Sequence, residues 1–144
     1  MFDENCRIIS ETEIGRGRTN IMANVYDQEG RVIKQTFTYE GDKPDKLETY
    51  KYDDENNTLT YVEYSPRYNV YRTKTITQFN KKNKVIQKSF FNAPTAGGGI
   101  TFSTGSKNEP DQIHLIRKYQ YDNKDKLIKE THLDGKNNEL LRVE

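Results

Sequence analysis

Two histidines, His114 and His132, are the residue types best suited to acid–base chemistry in this chain. A histidine pair can serve as acid and base in a ribonuclease-like site. Both stand in strand-like runs among Lys, Arg and Glu, and the preferred reading is two ordinary, half-exposed strand histidines. Asp53-Asp54-Glu55-Asn56-Asn57 supplies oxygen ligands of the kind calcium takes, but not in the spaced Asp-x-Asp-x-Asp-Gly order. A solvated turn is the expectation there. Gly97-Gly98-Gly99 lacks the Gly-Lys-Ser/Thr ending and the following helix of a phosphate cradle, so it is read as part of a loop. Gly15-Arg16-Gly17-Arg18 reads as a solvated turn. Cys6 needs a base beside it to be a nucleophile and is read as a surface or edge-strand thiol. No His-Glu-x-x-His or cysteine cluster is legible, so no metal or cofactor is expected.

Tyrosine is the remaining signal. Tyr61, Tyr64, Tyr68 and Tyr71 gather around Pro66, with Tyr50 and Tyr52 expected on the neighbouring strand. Tyrosine is favoured at protein interfaces because its ring is apolar and its hydroxyl bonds. These four are the candidate protein-binding residues.

The elements that carry these residues repeat. Tyr26-Asp27-Gln28-Glu29-Gly30-Arg31-Val32-Ile33-Lys34, Phe79-Asn80-Lys81-Lys82-Asn83-Lys84-Val85-Ile86-Gln87 and Tyr121-Asp122-Asn123-Lys124-Asp125-Lys126-Leu127-Ile128-Lys129 share one pattern. Tyr52-Asp53, with Leu59 after a longer turn, is a fourth copy. The aromatic closes a strand, and Asp or Asn opens a turn by bonding its own backbone. Gly30, Asn83 and Asp125 tolerate the left-handed backbone that such hairpin loops need. A base and an aliphatic pair then begin the return strand. Gly30, Asn83 and Asp125 are therefore expected at equivalent hairpin tips.

Strand-like runs cover 7–14, 19–26, 31–39, 46–52, 58–64, 68–79, 84–91, 100–102, 112–121, 126–133 and 140–143, most with period-two alternation. No segment carries a helical period of useful length. The chain is expected to be a single all-β domain over residues 1–144: an antiparallel meander of about ten strands, strongly twisted or partly closed as a barrel. Residues 92–110, rich in Gly, Ser, Thr and Pro, are expected to form a flexible loop.

Hydrophobic residues make up 32% of the 144, against a usual ~45–50% on a slightly broader count. Such a chain builds a thin core. With 23 basic and 22 acidic residues finely mixed, bulk charge does not drive binding to nucleic acid or a membrane surface. One cysteine excludes an internal disulfide. No run approaches the ~20 apolar residues of a membrane span. The charged first 20 residues are unsuited to a secretory signal.

The phrases Tyr50-Lys51-Tyr52-Asp53, Tyr119-Gln120-Tyr121-Asp122 and Tyr26-Asp27-Gln28-Glu29-Gly30-Arg31-Val32 resemble the YD repeats of bacterial RHS-type proteins and their wall-associated relatives. The resemblance spans about residues 19–133 and implies a ribbon of β-hairpins. Large relatives wrap such a ribbon around a toxin, and many are secreted or surface-exposed. Four copies are far too few for a shell. In size and style the chain is also similar to the immunity proteins that bacteria encode beside polymorphic toxins. The expected function is a non-enzymatic protein-binding module, most specifically a cytoplasmic immunity protein whose partner is a toxin domain. The alternatives are a secreted or surface module binding carbohydrate or cell wall, and a small-ligand carrier or enzyme in a closed barrel.

Overall fold

The computed structural model describes residues 1–15, 18–39, 41, 43–92 and 105–143. Ten strands run in chain order: β1 (Ser10–Gly15), β2 (Arg18–Tyr26), β3 (Val32–Thr38), β4 (Lys46–Asp53), β5 (Thr58–Ser65), β6 (Val70–Phe79), β7 (Val85–Asn92), β8 (Ile113–Tyr121), β9 (Leu127–Asp134) and β10 (Leu140–Val143). They form one twisted sheet in which each strand pairs antiparallel with its chain neighbours, in the order β1 to β10. The all-β meander stands as expected. The sheet is twisted and not closed into a barrel, with β1 and β10 as its edges, so of the two expected forms the strongly twisted sheet is the one present. A chain with 32% hydrophobic residues has little apolar volume to bury, and one open sheet asks less of the core. The expected strand at 100–102, the Gly97–Gly99 run, Arg16-Gly17 and most of the loop at 92–110 lie outside the described residues.

Four hairpins turn at one end of the sheet, and their tips share one geometry. Gly30, Asn83 and Asp125 have φ of 81°, 59° and 61°, and Asn57 in the longer second copy has 51°. In three of them the register shifts by one at the aromatic, at Tyr26, Phe79 and Tyr121. A left-handed residue before a one-residue bulge is the usual way a type I turn is fitted to a hairpin. The opening residue caps the turn: the Lys84 backbone N–H donates to Asn80 Oδ1 (3.0 Å) and that of Lys126 to Asp122 Oδ1 (2.9 Å).

A fifth copy precedes β1. Phe2-Asp3-Glu4-Asn5-Cys6-Arg7-Ile8-Ile9 repeats the phrase, with Cys6 at the left-handed position (φ 59°). The Arg7 N–H donates to Asp3 Oδ1 at 2.9 Å, and Phe2 bridges to Ile8. Successive turns are stacked. The Arg7 guanidinium lies 4.7 Å from the Tyr26 ring centre, Arg31 lies 4.4 Å from Tyr52 and Lys84 lies 6.0 Å from Tyr121. Each base thus covers the aromatic of the repeat that follows it, a geometry in which the ring quadrupole attracts the cation. Arg31 also donates to Asp54 (2.8 Å) and Lys82 to Asp125 (3.2 Å).

Apart from Pro110, the buried apolar side chains among the described residues are Phe91 and Ile116. They share a face with Ser89, which is directly opposite Ile116. Lys74, opposite Phe91, reaches across to Glu109 at 2.7 Å, and Pro110 beside it is buried. Gly105 comes so close to β6 that a Cβ there would sit 2.4 Å from the Tyr71 carbonyl. These residues mark the back face of the sheet; the opposite side is its front face.

Candidate functional site

Alternation along β4 puts Lys46, Glu48, Tyr50 and Tyr52 on the front face. Register places Glu48 between Gln35 of β3 and Glu63 of β5, and Tyr50 opposite Tyr61. Two facing carboxylates repel one another, and the surrounding donors offset that repulsion. Glu48 is only 9% exposed. It accepts from Tyr50 Oη (2.7 Å), Tyr61 Oη (3.0 Å) and Lys46 Nζ (2.9 Å). Tyr61 Oη also lies 3.3 Å from Glu63 Oε2. Gln35 extends the network by donating to Asn24 Oδ1 at 2.8 Å, while its own carbonyl faces Tyr50 Oη at 3.1 Å. The Tyr50 and Tyr61 rings meet at 5.4 Å.

The electrostatics favour the ionised forms of Glu48 and Lys46 and the neutral phenols of Tyr50 and Tyr61. Burial works to raise the Glu48 pKa, but the bonds from Tyr50, Lys46 and Tyr61 outweigh it and hold the carboxyl below its ordinary value. Burial and the Glu48 charge together raise the Tyr50 and Tyr61 phenols. Desolvation opposes the charge on Lys46, yet Glu48 raises its pKa. An acid–base pair is instead tuned towards neutrality. The shifts of Glu48, Lys46, Tyr50 and Tyr61 run the opposite way, each favouring the form that the hydrogen bonds hold.

The four candidate tyrosines divide between the faces. Tyr61 belongs to the front-face network. Tyr64, directly opposite Leu47, is on the back face and packs on Tyr71 with ring centres 4.9 Å apart. Its hydroxyl donates to Asn69 Oδ1 at 2.6 Å, which fixes the Ser65–Val70 turn. Asn69 takes φ of 52° there. Tyr68 projects from that turn, 62% exposed, with Arg67 and Arg72 centred 5.8 and 5.7 Å from its ring. Tyr64, Tyr68 and Tyr71 with two arginines therefore make one patch, and Tyr61 is not part of it. Alternation within β5 accounts for the split, because positions 61 and 64 point to opposite faces.

His132 sits opposite Arg117 and contacts Glu130 Oε1 at 2.6 Å, while His114 lies at an irregular stretch where β8 meets β7. The histidines are not cross-strand partners. Asp53 caps its own turn through the Asn56 N–H (3.0 Å), and Asp54 is engaged by Arg31. Cys6 is exposed and free, in a turn rather than a strand. Sequence reasoning missed Glu48, Lys46 and Gln35. The signal available was the alternation Lys46, Glu48, Tyr50, Tyr52, which sets charged and aromatic residues on one face.

No family model matches the chain, and no curated protein matches it. Among solved structures it is similar to the crystal structure of a protein of unknown function from Bacteroides fragilis. The two are 13% identical, the match covers 89% of this chain and 92% of that one, and the TM-score is 0.58, which is a likeness of fold.

Proposed function

We propose that this chain is a non-enzymatic protein-binding module, and in its specific form a cytoplasmic bacterial immunity protein that binds and neutralises a toxin domain. The observation that supports the reading is the Tyr68 patch. Interfaces draw most of their energy from a few Tyr, Trp and Arg anchors. Here an exposed tyrosine has two arginines near its ring, Arg72 and the Asp45-paired Arg67, on a turn braced by a packed tyrosine pair. Bracing lowers the entropy lost on binding. The front-face network, whose shifts favour the forms that its hydrogen bonds hold, fits the same non-catalytic reading.

The test is to co-express this chain with a toxin domain encoded beside its gene and to measure binding to that purified domain. Tyr68→Ala is expected to weaken the complex by about 2 kcal/mol, roughly thirtyfold, with the fold intact. Replacing His114 and His132 together by Ala is expected to leave protection unchanged. If that double variant binds normally yet no longer protects, the protein acts catalytically and the reading fails. A second reading is a surface module of the YD-repeat kind that binds carbohydrate or cell wall. The stacked fifth copy of the turn favours it. Retention on purified peptidoglycan, with no effect of the toxin, would select it.

A further inference from the structure

The stacking of turns is an interface used repeatedly inside the molecule, and each end of the sheet carries an unmatched half of it. At one end Phe2, 64% exposed, is a repeat aromatic with no base over it among the described residues. At the other, exposed Lys126 is a repeat base with no following repeat aromatic among the described residues. Exposed apolar residues concentrate in the same places. Of the thirteen large ones among the described residues, all but Tyr39 and Tyr68 lie in the first two strands, the last two, or the N-terminal turn. Ile14, Ile21 and Val25 share the back face at the first end, and Leu133 and Val143 share it at the last.

From this we infer that a second copy of the chain docks head to tail, its N-terminal turn against turn 122–126 and β9–β10 of the first. Three features carry the inference. First, an even number of strands makes β10 antiparallel to the β1 of a following copy, so the alternation continues unbroken. Second, the lanes do not collide. Among the described residues β10 pairs with β9 as far as Thr131, and the stretch of β9 from there to Leu127 has no outer strand beside it. Phe2 and Met1 fill the matching stretch beside Ile8 and Ile9 at the other end. Each therefore occupies a different part of one strand lane. Third, charges can pair across the contact: Glu11 and Glu13 lie at the first end, where Asp3 is held by Arg7, and Lys124, Lys126 and Lys129 lie at the last among Asp122, Asp125 and Glu130. The facing glutamates also disfavour pairing of two β1 edges. The contact is heterologous and does not close on itself, so copies add in a row.

The test uses the untagged chain in sedimentation velocity over a wide concentration range. Mass is expected to rise with concentration past the dimer. Phe2→Ala and Lys126→Glu are each expected to weaken the association about threefold or more, with unchanged circular dichroism because both side chains are exposed. Geometry is read by cross-linking. The internal counterpart of Lys126 beside Cys6 is Arg7 beside Gly30, where a Cβ would lie 3.3 Å from Arg7 Nη1. A Cys6→Ser, Lys126→Cys variant mixed with the natural chain should therefore couple through a short bis-maleimide. A chain that stays monomeric throughout overturns the inference. So does coupling of the double variant to itself alone, which would mean two tails meeting.

Discussion

Glu48→Gln is the sharpest probe of what holds the front face. The substitution keeps size and shape but exchanges one carboxylate oxygen for an amide that only donates. Tyr50, Tyr61 and Lys46 all aim donors at this carboxylate. A hydrogen bond to a charged acceptor contributes about 1.5–3 kcal/mol net. The Lys46 bond is discounted because that side chain is 28% exposed and such pairs are worth about 0–1 kcal/mol. Both hydroxyls can in part turn elsewhere, Tyr50 towards Gln35 and Tyr61 towards Glu63. The expected loss is therefore about 2–3 kcal/mol, read as the shift of a urea unfolding curve at pH 7. The pH dependence supplies an independent check. The folded Glu48 pKa is depressed, so its contribution is complete above the ordinary value of 4.5 and is lost as pH falls through the folded value. The gap between natural chain and variant should shrink steadily in acid. On the alkaline side the phenol pKa values of Tyr50 and Tyr61 are raised, so their contribution is present below pH 10 and lost above it. A loss below about 0.5 kcal/mol at pH 7, small against the bond strengths above, or a gap that persists undiminished in acid, would show that the network contributes nothing and that register alone builds this face.

Three more perturbations test the frame. Gly30→Val should cost about 1 kcal/mol or more because φ there is +81°, whereas Cys6→Gly, at the equivalent turn position, should be neutral or stabilising; equal losses in the two urea midpoints would contradict a shared turn geometry. Gly135→Ala places a Cβ 2.4 Å from the Ile113 carbonyl and should cost roughly 1–3 kcal/mol, and a neutral result would mean that the close approach of the 134–139 turn to β8 is absent. Amide exchange should be slowest in β5 to β7 and fastest in β10, whose four residues are all exposed; uniform protection would mean that the sheet opens as one unit rather than from its ends.

The repeat made most of the frame legible. An aromatic, a side chain that caps its own turn, a left-handed position and a base are local requirements, and local requirements are written in consecutive residues. That is why Asn83 and Asp125 could be placed at hairpin tips without coordinates. The fifth turn was missed for an equally local reason: its left-handed residue is Cys6, a type that gives no such signal. Its remaining letters, Phe2, Asp3, Arg7, Ile8 and Ile9, were in register throughout. Open sheet or barrel was not legible, because closure depends on accumulated twist and on pairing between strands far apart in sequence.

Long-range register explains the rest. Tyr61 and Tyr64 look like one cluster in the sequence, and alternation sends them to opposite faces. Glu48 looks like an ordinary strand glutamate until Gln35, Tyr50 and Tyr61 are set around it by pairings on both sides. In a single-layer sheet each strand is stabilised by its two neighbours rather than by a common core. The information therefore resides in cross-strand partners, and a strand lacking one partner is an incomplete unit. β1 and β10 are such strands, and Phe2 and Lys126 are the repeat positions left open beside them. The physics that arranges the interior hairpins is thus the same physics that makes the two ends complementary.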